Sequence, residues 1–164
     1  MKKIVFLLML YVILFTSVFA ADTEYNRATL AGLKGFAVWV HLDEDLENEL
    51  SVDEINKIIE LKLRSAGIIA LSDFEWTYEN IKKYADLHVK ITAVGGFNSY
   101  AYHIIMGVTQ FVNLERDSSK LLPATTWSTE VTGLVGINAL NEINESVKAL
   151  ANIFLKAYLS ANPK

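Results

Sequence analysis

The chain has 164 residues, no cysteine and a formal net charge of −4 at pH 7. An acidic chain is a poor partner for nucleic acids, whose phosphates are held by clustered Lys and Arg side chains. The lack of cysteine excludes disulfides, thiol nucleophiles, cysteine-bound metals and a cysteine-linked lipid anchor.

The first 20 residues, MKKIVFLLMLYVILFTSVFA, have the layout of a secretory signal peptide. Two lysines precede an apolar run from Ile4 to Phe15, and Val18 and Ala20 stand where a signal peptidase cleaves. The alternative is an uncleaved anchor helix, because the apolar run approaches the roughly 17–25 residues that span a bilayer. We predict cleavage after Ala20, which leaves 13 basic against 19 acidic residues, a net charge of −6, and a periplasmic or secreted product.

Residues 21–35 form a polar lead-in that shows no clean hydrophobic period. Residues 36–164 are predicted to form a single domain, since a chain of this length suits one hydrophobic core. The run from Phe36 to Leu42 alternates as a half-buried strand does, and this pattern places Trp39 on the face opposite the core.

A helix is predicted next, because Ser51-Val52-Asp53-Glu54 is a capping box and apolar residues then recur at every third or fourth position. The helix should end at Gly67, where a left-handed C-terminal cap is expected. Residues 68–76 follow as a second strand. This strand–helix–strand order is compatible with a right-handed parallel crossover.

The largest predicted element is a β-hairpin between Tyr84 and Glu115. Two long runs of β-branched and aromatic residues are joined by the loop GGFNS at residues 95–99. Centring the hairpin on this loop pairs residues whose numbers sum to about 195. This register turns one row of side chains, including Val89 and Ile104, toward the helices and leaves a mixed polar and apolar face on the other side.

Residues 116–120 are predicted as a polar turn, and residues 124–131 as a strand that pairs antiparallel with the hairpin. Gly133 and Gly136 are interpreted as loosening the chain before a long amphipathic helix that begins near residue 137. The element order β-α-β-β-β-β-α predicts an α+β fold. We expect a two-layer sandwich, with a mainly antiparallel sheet of about five strands and two helices on one face.

The sheet face away from the helices is the candidate binding surface, because it is too apolar for a plain solvated face and too polar for a core. Two tryptophans on this face favour protein binding, since aromatic rings anchor protein contacts. The alternative is that each ring fills a gap beneath a loop. The predicted binding face consists of Trp39, His88, His103, Ile105, Phe111 and Trp127.

No catalytic residue, metal site or cofactor is predicted. A zinc site of His41, His88 and His103 is disfavoured, because the hairpin register separates the last two by roughly 13 Å along the strands. The enzymatic alternative is a small envelope hydrolase based on one of these strand histidines. Its carboxylate partner would be Asp73 or Glu75, two alternate residues of the second strand.

Four pieces of the sequence are similar to a family of small exported bacterial proteins of uncharacterised function. These pieces are LAGLKGFAVWVHLDED around the first strand, LKLRSAGI at the end of the first helix, ATTW, and FLKAYLSANPK at the C-terminus. The resemblance covers nearly all of the mature chain and implies no activity. The element order is also similar to that of periplasmic α/β sandwich domains of envelope-assembly accessory proteins.

The sequence therefore predicts an exported, non-catalytic binding or accessory protein of the bacterial cell envelope that acts through an exposed sheet face. Its expected partner is another protein or a second copy of the chain, and no nucleic acid is involved. Contact with a membrane is expected only through the leader, if the leader stays uncleaved.

Overall fold

The computed structural model describes residues 22–47, 49–71, 77, 79–96 and 98–163. The predicted signal peptide lies outside the described residues, as do Asp73 and Glu75 of the second predicted strand. The elements in chain order are helix α1 (Glu24–Ala28), strand β1 (Gly35–Leu42), helix α2 (Val52–Ser65), strands β2 (Ile69–Leu71), β3 (Tyr84–Gly96), β4 (Ser99–Leu114) and β5 (Asp117–Gly136), and helix α3 (Asn141–Ala161). Short 3-10 turns occupy Glu44–Leu46 and Ile137–Ala139.

The five strands form one mixed sheet in the order β2-β1-β3-β4-β5. Strand β1 runs parallel to both β2 and β3, whereas β3, β4 and β5 are joined by long antiparallel pairings. The predicted α+β class is confirmed. The path from β1 through α2 to β2 is the parallel connection that the sequence suggested, since parallel neighbours need a crossover and cannot be joined by a tight turn.

Helices α2 and α3 cover the inner face of the sheet and bury its apolar side chains. The buried stripe of α2 consists of Ile55, Ile59 and Leu63. On α3, Phe154 lies edge-on against Phe36 of β1, with ring centroids 5.1 Å apart. Burying a side chain of this size contributes about 1.5–3 kcal/mol, so the contacts of this layer stabilise the domain.

The β3–β4 hairpin has the predicted register. Val89 pairs with Met106, and Ile91 pairs with Ile104. All four side chains are buried against the helices. Because side chains alternate across a strand, this register also fixes which residues lie on the opposite face of the sheet.

Helix α2 begins and ends with the predicted caps. The Ser51 hydroxyl accepts a hydrogen bond from the amide of Glu54 at 3.3 Å. Gly67 follows the helix with a φ of 77°, the left-handed conformation that glycine adopts at little cost. Ser51 therefore marks the start of the helix, and Gly67 marks where the chain leaves it for β2.

Strand β5 is longer than predicted. The connection after β4 is a two-residue turn at Glu115 and Arg116, so most of the predicted polar turn belongs to the strand. Gly133 does not loosen the chain: it pairs with Tyr102, whose ring lies where a Cβ at Gly133 would be, 2.5 Å away. A glycine beneath a cross-strand aromatic ring makes room for that ring, which explains a glycine inside a strand.

The lead-in before β1 contains ordered structure that its sequence pattern did not reveal. Helix α1 is capped by Thr23, and Leu30 after it is fully buried. The Tyr158 hydroxyl of α3 donates to the Leu33 carbonyl at 2.6 Å, and Asn162 donates to the Leu30 carbonyl at 3.0 Å. This segment is therefore attached to the end of α3 by hydrogen bonds as well as by apolar contact.

Candidate functional site

The outer face of the sheet is the surface opposite helices α2 and α3. Strands β1, β3, β4 and β5 contribute alternate residues to it, and the pairing places these residues in rows across the sheet. The rows are Trp39–His88–Gly107–Ser128, His41–Lys90–Ile105–Glu130, Thr92–His103–Thr132 and Val94–Ala101–Leu134.

The outer face exposes several large apolar side chains. Val94 is 74% exposed and Leu134 is 76% exposed, and both flank Ala101 in the row nearest the β3–β4 turn. Trp39 is 53% exposed and Ile105 is 37% exposed. Since these residues stand on paired strands, their positions are fixed in advance, which lowers the entropic cost of binding a partner.

A polar cluster surrounds Trp39 at the β1–β3 seam. The Trp39 indole N–H donates to the Asp86 carboxylate at 2.9 Å. The other Asp86 oxygen lies 3.6 Å from Nε2 of His88. Asp86 therefore orients the indole ring, so that one edge of the ring is satisfied while its face remains open to solvent.

The second histidine has a separate carboxylate partner. Nε2 of His103 lies 3.3 Å from the Glu130 carboxylate across the β4–β5 pairing, and both side chains are about one-third exposed. A partly exposed pair of this kind contributes at most about 1 kcal/mol to stability. It is better suited to a contact with a polar partner than to holding the fold together.

His88 and His103, two histidines of the outer face, do not converge on one site. The residue opposite His88 on β4 is Gly107, which lies four residues from His103. The two histidines are therefore separated by roughly 13 Å along the strands. Ser128, the hydroxyl in the His88 row, lies two strands away at roughly 10 Å, beyond the reach of a base that activates a nucleophile. Within the described ranges, no group of three or more His, Asp or Glu side chains is placed to hold a metal ion.

The sequence-predicted residues do not all lie on this face. Trp39, His88, His103 and Ile105 do, and Phe111 lies half-buried on the same strand as Ile105, beyond the last β3 pairing. The carboxylates suggested for the hydrolase, Asp73 and Glu75, lie outside the described residues, so that pairing stays a prediction.

The placement of Trp127 on the outer face is wrong. Its side chain is fully buried and packs against Phe154, with ring centroids 5.3 Å apart. Trp127 pairs with Val108, an inner-face residue, and the extra residue Thr126 forms a bulge just before it. Hydroxyl residues flank Trp127 on both sides, so no alternation in the sequence showed which way the ring points.

Sequence reasoning also missed the polar group beneath Trp127. The Trp127 indole N–H donates to Asp22 at 2.8 Å, and Arg27 donates to both oxygens of the same carboxylate at 2.7 and 2.6 Å. These hydrogen bonds, chiefly those from Arg27, hold the pKa of Asp22 below its usual value. The available signal was Thr23 as a helix cap, since Ser, Thr, Asp and Asn are typical of the residue before a helix.

A cleft of about 650 Å³ lies beside this group, between α1 and the end of α3. Asp22 and Arg27 in its wall already satisfy each other, and the cleft is open to solvent. These two charges are therefore directed at each other. The lining residues are Asp22, Glu24, Arg27, Ala28, Ala31, Ser160 and Ala161.

No protein-family model matches the chain, and a comparison with curated proteins finds no match. Among solved structures, the chain is similar to a dodecamer of a PelC variant from Paraburkholderia phytofirmans. The identity is 16%, the match covers 78% of this chain and 90% of that chain, and the TM-score is 0.45. It is also similar to the rare lipoprotein B from Shewanella oneidensis, with 10% identity, 76% and 94% coverage and a TM-score of 0.36. These likenesses assign no activity.

The comparisons leave the resemblance to small exported bacterial proteins as a prediction. The helices in the described ranges are too short or too polar to act as a membrane span.

Proposed function

We propose that the chain is an exported, non-catalytic accessory protein of the bacterial cell envelope that binds another protein through the outer face of its sheet. The observation that carries this proposal is the set of exposed apolar side chains on this face: Val94 and Leu134 flank Ala101 in one row, and Ile105 lies two rows and Trp39 three rows farther along the strands. Large apolar side chains gathered on one rigid surface are typical of protein contact sites.

The composition of the outer face supports a protein partner over other ligands. Aromatic and aliphatic side chains would supply the apolar contacts, and the Asp86–His88 and His103–Glu130 pairs that lie among them would supply polar contacts. The face is an exposed sheet surface, whereas small-molecule sites are concave and bury most of their ligand. It also mixes both signs of charge, which disfavours a phosphate backbone.

Export rests on the first 20 residues, and it has its own test. We expect the protein purified from the source cells to begin at Ala21, because the small residues before that position suit a signal peptidase. Intact-mass spectrometry of the protein recovered from each cell fraction measures this. A product that keeps the leader and stays with the membrane would contradict cleavage and favour the anchor.

The binding proposal is tested by placing charges at two exposed apolar positions of the face. A Val94→Lys, Ile105→Lys double variant is expected to bind its partner at least tenfold more weakly. Forming the contact would remove two ammonium groups from water, which costs free energy when no partner charge meets them. Both positions are exposed, so circular dichroism should show an unchanged fold. The matched control is Leu61→Lys, at a residue that is 67% exposed on α2, away from the sheet.

A further inference from the structure

The free edge of strand β5 is a second candidate contact surface, distinct from the outer face. Strand β5 is the last strand of the sheet, with β4 on one side, and no other strand in the described part of the chain pairs with its second side. An unpaired strand edge presents a row of backbone donors and acceptors, which natural proteins block or cover.

The ladder pattern shows which residues of β5 face this edge. The amide of Ile137 donates to the Asn98 carbonyl at 3.0 Å, in continuation of the Gly136–Ser99 register. Because hydrogen-bonded and non-bonded positions alternate in an antiparallel pair, odd-numbered residues from 135 back to 127 bond to β4. The residues whose N–H and C=O groups point to the free edge are Ser128, Glu130, Thr132, Leu134 and Gly136.

The first half of β5 is protected against edge pairing, whereas the second half is not. Pro123 has no N–H, Thr126 forms a bulge, and the Asn26 side chain donates to the Thr126 carbonyl at 2.9 Å. From residue 128 to 136 there is no proline or bulge, and Glu130 is the one charged residue. The open stretch is about 26 Å long.

We propose that this open stretch pairs antiparallel with the same stretch of a second copy of the chain, with the two-fold axis at Thr132. In that register Thr132 faces its own copy and Glu130 faces Leu134 of the other chain. A register centred on Glu130 would place two like charges opposite each other and is disfavoured. Five residue pairs exchange about ten backbone hydrogen bonds in this arrangement.

A second copy fits this edge better than a foreign strand does. The stretch can pair with itself in an antiparallel register, and a two-fold pairing closes both β5 edges at once, so growth through β5 stops at two chains. Protection on the other half of β5 limits the pairing to these nine residues and prevents longer stacking. The product is a ten-stranded sheet in which the two outer faces are continuous.

The first test measures the wild-type protein. We expect light scattering of residues 21–164 to give twice the chain mass. Residue-resolved hydrogen exchange should show the amides of Glu130, Thr132 and Leu134 exchanging at least tenfold more slowly in the dimer than after dilution to monomer. A monomer at every concentration with fast exchange at these amides would overturn the proposal. Slower exchange at these amides that appears only when an envelope extract is added would also overturn the proposal, because a strand of another protein would then occupy the edge.

The second test removes one edge donor. Thr132→Pro deletes an N–H that faces away from β4, so it is expected to give a folded monomer. Thr132→Ala changes the same side chain, keeps the N–H and should stay dimeric. A dimeric proline variant would contradict edge pairing. The Val94→Lys, Ile105→Lys variant should remain dimeric while losing its partner, which separates this proposal from the proposed function.

Discussion

Replacing Trp127 by alanine is expected to lower the free energy of unfolding by about 3–5 kcal/mol, the usual cost of removing a large buried aromatic side chain. Trp127 is fully buried, contacts the Phe154 ring and donates its indole N–H to Asp22. The substitution therefore opens a cavity between β5 and α3 and removes one of the hydrogen bonds that hold the lead-in.

Urea unfolding followed by circular dichroism measures this loss. The matched control is Trp39→Ala, at a residue that also donates its N–H to a carboxylate but is 53% exposed. The control should cost less than about 1 kcal/mol, since substitutions at exposed positions rarely cost more. Equal losses at the two tryptophans would contradict the buried position of Trp127.

Replacing Asp22 by alanine is expected to destabilise the fold by about 1–3 kcal/mol, because the Trp127 N–H would lose its acceptor inside the protein. Arg27 would lose its bidentate partner as well. Asp22→Asn is the informative companion, because its amide oxygen can still accept from the indole while the charge opposite Arg27 is removed.

The stability of the wild-type protein should depend on pH through this carboxylate. Hydrogen bonding by Arg27, with a further contribution from Trp127, lowers the pKa of Asp22 in the folded state. The stabilisation is therefore fully present above the unfolded-state pKa, near 3.8, and is lost as the pH falls through the lower folded-state pKa. The difference in unfolding free energy between wild type and Asp22→Asn should shrink over that acidic window. A constant difference would contradict the assignment.

Much of the fold could be predicted because its largest elements follow simple periods. The β3–β4 hairpin alternates over two long runs around a glycine-containing loop, so its register followed from the loop position. Helix α1 could not be predicted in the same way. It has five residues, too few for a periodic signal, and is held by tertiary contacts such as the hydrogen bond from Asn26 to Thr126.

The outer face was predictable in part for the same reason. Alternation alone placed His88, His103 and Ile105 on it. Their partners were not predictable, since the Glu130 carboxylate meets His103 through the β4–β5 register and its bulge. Trp127 was misplaced because burial on β5 depends on pairing with Val108 and not on its own hydroxyl-rich neighbours.

Capture of a partner by the purified protein tests the proposed function most directly. Residues 21–164 are immobilised as the wild type, as the Val94→Lys, Ile105→Lys double variant and as the Leu61→Lys variant, and each is exposed to an envelope extract of the source cells. Bound proteins are then quantified by mass spectrometry. We expect one protein to be retained by wild type and by Leu61→Lys and to be lost from the double variant. Equal retention by all three proteins, or no specific retention by wild type, would contradict binding through the outer face.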